Sequence, residues 1–302
     1  LLITLDDEAA FSVDLQGAVS GVANDDIDFL AETTTTIILS GDVAYSANFD
    51  GAGTLNITGT MTTDEAIGSG TDMGIIDIDG QITSTDTIKG DVLDLDGTIA
   101  GATSLVIDLT NALGGSITTT GVTTLTGATT LTGNSSITTT DAIVLFGGTV
   151  RGTGLDLTIN SGTAATNFVG IVGGTADEGV GAIALTGALN LDAAITDAES
   201  ISVSLASDIG AAITTTGTTG TTMTFSDVAN ISAASVLTTA NTNISLEQVT
   251  GANALTLVAG TGNITTSAAM TAVTTLTVTS ATTATFAAVT NATSTVLAST
   301  GA

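Results

Sequence analysis

Short runs in which apolar and polar residues alternate recur along the whole chain. In residues 11–15 and 55–57, for example, Phe, Val, Leu or Ile alternates with Ser, Asp or Asn. A period of two predicts β-strands with one buried face. No stretch combines a helical period of 3.6 with capping residues, and Gly or Asp interrupts each apolar run. The pattern therefore predicts an all-β protein.

The runs also return at intervals of about 20 residues, a spacing typical of coils that stack on copies of themselves. Ile-Thr-Thr-Thr at residues 117–120 recurs at 137–140, and two similar hexads occupy residues 121–126 and 127–132. Further along, two apolar series run at a similar spacing and are offset by about half a period: Ile201, Met223, Ile244 and Ile264, and Leu255, Leu276 and Leu297. Two series predict at least two strand faces in each coil.

We therefore expect a β-solenoid of roughly 15 coils, each of about 17–22 residues, stacked at the inter-strand distance of about 4.8 Å. No linker interrupts the pattern, so residues 1–302 are expected to form a single domain. Residues 1–110 would form acidic, less regular coils, and residues 111–302 would form Thr/Gly-rich, more regular coils. Phe225 and Phe286, three periods apart, are expected in one column of the core.

The amino-acid composition excludes several classes of function. The net charge is −28, 20 of the 30 acidic residues lie in residues 1–110, and Lys89 and Arg151 are the two cationic residues. A chain without a basic patch is a poor partner for nucleic acid or anionic lipid. His and Cys are absent, which excludes catalytic triads and zinc sites built from them. No apolar run is long enough to predict a membrane span.

One segment resembles a known family. In residues 143–160 a strand ending in Phe-Gly-Gly is followed by a Gly-x-Gly turn and the strand Leu-Asp-Leu-Thr-Ile-Asn. This segment resembles the repeats of giant bacterial surface proteins of the filamentous-haemagglutinin and autotransporter-adhesin type. The resemblance, closest over residues 115–200, implies a right-handed parallel β-helix, secretion and a place on the cell surface. The chain begins without Met or a basic leader, which indicates a processed or internal segment.

The clearest candidate for chemistry is the motif Asp-x-Asp-Gly, which occurs at 77–80 and again at 94–97, about one coil later. Its first copy holds Asp77 and Asp79, and its second copy holds Asp94 and Asp96. If the residue between each pair points inward, stacking brings the four carboxylates together. Ca²⁺ prefers carboxylate oxygens and would relieve their repulsion, so the motif predicts a Ca²⁺ site. The alternative is a solvated acidic face. Acidic turns at residues 6–8 and 24–28 are weaker candidates for a cation.

These features favour a structural or adhesive extracellular protein, a segment or subunit of a bacterial surface fibre, with no enzymatic activity. Its expected partners are further coils of the same chain or other copies of it, together with surface glycans. The alternatives are a module that binds a glycan or cell-wall polymer, a polysaccharide-degrading enzyme, and an ice-binding solenoid with Thr arrays. Arg151, in a Gly-rich turn, is expected to be exposed or to contact an acidic face of another subunit.

Overall fold

The computed structural model describes residues 2–5, 11–16, 19–20, 27–31, 33, 35–45, 47–174, 178–290 and 292–297. These residues form strands, turns and bends, with no helix among them, and the registered strand pairs are parallel. Together the strands make about 13 turns of a β-solenoid, slightly fewer than the roughly 15 coils predicted. The all-β solenoid prediction is thereby confirmed.

Contacts between residues divide the chain into two compact units, Leu1–Gly148 and Thr149–Ala302, and we describe each by itself. A single domain over residues 1–302 stays a prediction. The strands of the first unit are β1 (Leu2–Leu5), β2 (Phe11–Leu15), β3 (Val19–Ser20), β4 (Ile27–Ala31), β5 (Thr35–Leu39), β6 (Asp42–Tyr45), β7 (Ala47–Asp50), β8 (Thr54–Ile57), β9 (Thr60–Thr63), β10 (Met73–Ile78), β11 (Gln81–Ser84), β12 (Thr87–Leu95), β13 (Thr98–Ala102), β14 (Ser104–Leu113), β15 (Ser116–Thr119), β16 (Thr123–Leu125), β17 (Ala128–Leu131), β18 (Ser135–Thr139) and β19 (Val144–Phe146).

Each coil of the first unit has three faces, which we name A, B and C. Face A stacks β2, β5, β8, β10, the second half of β12, the second half of β14, and β17. Face B stacks β3, β6, β9, β11, β13, β15 and β18. Face C stacks β1, β4 and β7, then Ile67, the first halves of β12 and β14, β16 and β19.

The repeats seen in the sequence correspond to stacking in two different ways. Residues 117–119 pair with residues 137–139 on face B, which confirms them as the same position in successive coils. The two hexads instead form neighbouring faces of one coil, because β16 lies on face C and β17 on face A. Sequence similarity at short range therefore marks adjacent sides of one coil.

The second unit is built in the same way. Its strands are β20 (Val150–Arg151), β21 (Leu157–Asn160), β22 (Ala165–Phe168), β23 (Val180–Leu185), β24 (Ala188–Leu191), β25 (Ile195–Val203), β26 (Ser207–Ile209), β27 (Ile213–Thr215), β28 (Thr221–Ile231), β29 (Ser235–Thr239), β30 (Asn243–Thr250), β31 (Ala254–Val258), β32 (Asn263–Thr266), β33 (Met270–Thr271), β34 (Thr275–Ser280), β35 (Thr283–Phe286), β36 (Val289–Thr290) and β37 (Ser294–Leu297).

We name its faces D, E and F. Face D stacks β20, Val172, the start of β25, β27, β29, β31, β34 and β37. Face E stacks β21, β23, the end of β25, the start of β28, the start of β30, β32 and β35. Face F stacks β22, β24, β26, the end of β28, the end of β30, β33 and β36.

Register in the second unit confirms most of the predicted series. Ile201, Met223, Ile244 and Ile264 pair in succession on face E, and Phe225 and Phe286 share a column three coils apart, linked by Leu246 and Thr266. The second series holds for Leu255 and Leu276, but Thr295 rather than Leu297 pairs with Leu276. The last coil is shorter than the one before it, so the assignment of Leu297 to this column was wrong.

Coil length varies in both units without disturbing the strands. The coil from Ile76 to its register partner Leu93 is short, whereas the coil from Ile213 to its partner Leu237 is long. The greater regularity expected for residues 111–302 is therefore not found in the coil lengths. Bulges and corners absorb the differences, as at the register shift between Gly90 and Val92. Backbone hydrogen bonding keeps neighbouring strands aligned whatever the corner length.

Buried hydroxyl groups close many corners and explain part of the high Thr content. At the end of face B, Ser84, Thr119 and Thr139 are buried, and each hydroxyl donates to a backbone carbonyl just beyond it in the chain, at 3.2, 2.7 and 2.5 Å. Backbone carbonyls at a corner lie outside the regular strand ladder, and these hydroxyls supply them with hydrogen bonds. Threonine therefore serves both as a strand residue and as a corner residue.

In three successive coils, the corner between faces A and B leaves no room for a side chain. A Cβ atom on Gly80, Gly97 or Gly115 would lie 2.0, 1.9 or 1.9 Å from a carbonyl oxygen of the preceding coil. No side chain fits at that distance. The Gly of each Asp-x-Asp-Gly motif is thus the place where one coil's backbone rests on the next, and it positions the aspartates beside it.

Candidate functional site

The first aspartates of the two motifs lie side by side on the outer surface of face A. Asp77 of β10 pairs in register with Asp94 of β12. Their neighbours Ile76, Ile78, Leu93 and Leu95 are buried, so alternation turns both carboxylates outward. In the preceding coil, Asn56 pairs with Asp77, and its Nδ2 donates a hydrogen bond of 2.6 Å to Asp77 Oδ2. The column on this face is therefore Asn56, Asp77, Asp94.

The second aspartates occupy the glycine corner that follows. The backbone N–H of Asp79 donates to Ile57 O, and that of Asp96 donates to Ile78 O, both at 3.0 Å. Both side chains are exposed. Asp96 Oδ1 also accepts a hydrogen bond of 3.3 Å from Thr132 Oγ1, two coils further on. The corner thus holds two carboxylates of adjacent coils next to the pair on face A.

Burial and the neighbouring carboxylates change the pKa of Asp77 and of Asp94. Partial burial raises the pKa of Asp77 above its ordinary value, and repulsion from Asp79 and Asp94 raises it further, against the opposing hydrogen bond from Asn56. Partial burial also raises the pKa of Asp94, with added repulsion from Asp96 and Asp79. Register places Asp77 beside Asp94, and the assignment of Asp77, Asp79, Asp94 and Asp96 to one cation site stays a prediction. Four carboxylates offer oxygen ligands of the kind that Ca²⁺ prefers, and the ion itself stays a prediction.

A second acidic cluster lies at the corner between faces C and A, and the sequence reasoning missed it. One carboxylate oxygen from each of Asp72, Asp91 and Asp108 lies within 4.8 Å of the others. The three residues come from successive coils: Asp72 precedes β10, Asp91 sits in the bulge of β12, and Asp108 follows the Ile107 that pairs with Gly90. Each is separated from the next by about one coil, a signal that a search for aspartates at coil spacing would have found.

The other residues singled out in the sequence are Arg151 and the acidic turns near the start of the chain. Arg151 is exposed and forms an ion pair of 2.8 Å with Glu178 inside its own unit. Residues 6–8 and 24–26, which include most of the two acidic turns, lie outside the described residues. Within the described part of the chain, no helix is long and apolar enough to span a membrane.

Comparisons with protein-family models, curated proteins and solved structures found no match for this chain.

The raised pKa values predict how stability depends on pH. Because Asp77 and Asp94 hold protons more tightly in the folded state than in the unfolded chain, their contribution to stability falls as pH rises through the folded pKa values. We expect Asp94→Asn to raise the melting temperature at pH 7 in the presence of a chelator. The gain should disappear near pH 3, roughly where the unfolded carboxyl is itself protonated.

Thermal melting followed by circular dichroism would measure this dependence. Asp42→Asn, which removes a carboxylate from face B, is the matched control and should leave the melting temperature nearly unchanged. A lower melting temperature of Asp94→Asn at pH 7 would contradict the repulsion inferred for the cluster. In the same experiment, Ca²⁺ should raise the melting temperature of the native chain and have little effect on Asp77→Asn/Asp94→Asn. If Ca²⁺ leaves the native chain unchanged, the predicted bridge is wrong.

Proposed function

We propose that this chain is a non-catalytic structural or adhesive extracellular protein, a β-solenoid subunit or segment of a bacterial cell-surface fibre or adhesin. The observation that carries this proposal is the exposure of apolar side chains on β36 and β37, in a parallel ladder whose earlier coils bury such side chains. In one column of face D, Leu257 is 0% exposed and Val278 is 3% exposed, but Leu297 is 63% exposed. The apolar column thus continues past the point where the described coils cover it.

An uncovered strand edge pairs readily with another strand, and proteins usually block such edges. Val289 and Val296 in the same coil are also exposed, and among the described strands none pairs with the far side of β35, β36 or β37. A further coil would extend the parallel register and bury these residues. That coil would come from the same polypeptide or from a second copy of the chain.

Two other features support a surface role. The net charge of −28 leaves many carboxylates facing water, which keeps an extended surface hydrated and offers sites for bridging cations. The resemblance of residues 143–160 to surface-adhesin repeats supports a location on the cell surface. The candidates for a bridging cation are the stacked pair Asp77 and Asp94 and the cluster of Asp72, Asp91 and Asp108.

Sedimentation velocity and negative-stain electron microscopy of this chain would test the proposal. We expect concentration-dependent end-to-end association, which Leu297→Lys should abolish because a buried unpaired charge opposes stacking. Val236→Lys places the same charge at an exposed position on the side of the solenoid and should associate as the native chain does. Isolated particles of one length at every concentration would contradict the filament version of the proposal.

A further inference from the structure

A shallow groove of about 390 Å³ lies on the outer surface of face F. It crosses successive coils of the second unit, from β22 through β24 and β26 to the end of β28. The residues beneath it, Thr166, Leu189, Ser207 and Ala229, are buried and point inward. Alternation along each strand therefore turns the flanking residues outward, into the groove.

The flanking residues form two parallel columns. One column is small and apolar, with Ala165, Ala188, Ala206 and Val228. The other is polar, with Asn167, Asn190, Asp208 and Asn230 in successive registers. All eight side chains are exposed or half-buried. The groove thus presents an apolar strip beside a row of amides and one carboxylate.

Hydrogen bonding in the polar column is incomplete. Asn230 Nδ2 donates to Asp208 Oδ1 at 3.1 Å. At the other end of the column, Asn167 Oδ1 is shielded from water and accepts no hydrogen bond from the described residues. Each asparagine amide can donate two hydrogen bonds and accept two. The polar groups that line the groove and can reach a ligand are therefore those of Asn190, Asp208 and Asn230.

The geometry of the columns selects a repeating ligand. Neighbouring side chains in a column are separated by the strand spacing of about 4.8 Å, which is close to the advance per ring in an extended, β-linked chain of sugars. The hydroxyl and acetamido groups of such a chain can form hydrogen bonds with the asparagine amides. The C–H face of a sugar ring, or an acetyl methyl group, can pack against the alanine strip. The charge of the protein favours an uncharged polysaccharide over an anionic one, because Asp208 and a net charge of −28 repel an anionic chain.

We propose that this groove binds an uncharged linear polysaccharide that runs along the stack, perpendicular to the strands. The sugar rings lie on the column of Ala165, Ala188, Ala206 and Val228, and the side chains of Asn190, Asp208 and Asn230 bind their polar groups. This site adds a ligand to the molecule and does not depend on the assembly proposed above, because it lies on the side of the solenoid and not at its end.

Isothermal titration calorimetry with chitohexaose, cellohexaose and polygalacturonate would test the groove. We expect saturable binding of at least one uncharged hexasaccharide and weaker binding of polygalacturonate. Asn190→Ala should weaken binding about tenfold, the effect of losing one or two ligand hydrogen bonds. Ala206→Glu, at an exposed position, should abolish binding by placing a solvated charge on the apolar strip.

Controls on another face separate the site from the fold. Asn263→Ala and Ser202→Glu introduce the same side chains at exposed positions of face E and should bind as the native chain does. Circular dichroism would show whether each variant is folded. If Asn190→Ala does not fold, Ala206→Glu still tests the groove. Absence of binding to both uncharged hexasaccharides overturns the proposal. Equal binding by the native chain and Ala206→Glu, or tighter binding of polygalacturonate, overturns it as well.

Discussion

Replacing Gly97 with alanine is expected to destabilise the first unit by about 3 kcal/mol or more, the upper range for an overpacked position. A Cβ atom there would lie 1.9 Å from Gly80 O. Backbone movement cannot relieve the clash cheaply, because the N–H groups of Gly97 and Thr98 donate to the preceding coil at 2.8 and 2.9 Å. Urea denaturation would measure the loss as a lower transition midpoint.

Thr118→Ala is the matched control, since Thr118 is exposed on face B and its change should fall within about 0.5 kcal/mol. Hydrogen exchange adds a local readout. The Thr98 amide, which donates to Gly80 O, should exchange faster in Gly97→Ala than in the native chain. A Gly97→Ala protein that unfolds at the native urea concentration would show that the corner can relax, contrary to the tight stacking of Gly97 on Gly80.

Truncating Phe225 to alanine is expected to cost about 3–5 kcal/mol, the usual range for a buried aromatic residue. Phe225 is 1% exposed, and its register neighbours in the adjacent coils are Val203 and Leu246. A solenoid core is narrow and its coils are held by backbone ladders above and below, so the cavity cannot collapse easily. Thermal melting and urea denaturation would both report the loss.

Two further variants test whether the cavity is the cause. Phe225→Leu keeps most of the volume and should retain much of the stability that Phe225→Ala loses. Val236→Ala removes an apolar side chain that is exposed on face D and should have little effect. If Phe225→Ala were as stable as Val236→Ala, the buried column on face E would not be a source of stability.

Much of the fold could be predicted because the sequence of a solenoid repeats with the period of its coils. Each coil places the same kind of residue at the same point, so Ile201, Met223, Ile244 and Ile264 reveal their own register. The number of faces could not be obtained in this way. Two apolar series showed at least two faces, whereas each coil has three, since face C is in places reduced to one bridging residue such as Ile67.

The acidic sites show the same contrast. Asp77 and Asp94 belong to a repeated motif whose spacing equals one coil, so their proximity followed from the sequence. Asp72, Asp91 and Asp108 are also about one coil apart, but they belong to no common motif, and the bulge at Asp91 makes their spacing unequal. A bulge inserts a residue without moving the strands on either side, and its position depends on how two coils pair.

The sequence by itself determined the strand class, the approximate period of the coils and most columns of the core, because alternation and period are local properties of the chain. Only the tertiary structure decided which residues meet across corners. It placed the two hexads on different faces of one coil, moved Leu297 out of the column of Leu255 and Leu276, and brought the alanine and asparagine columns of face F together as one groove. The physical reason is that the backbone ladder sets register strand by strand, while the corners between strands differ in length.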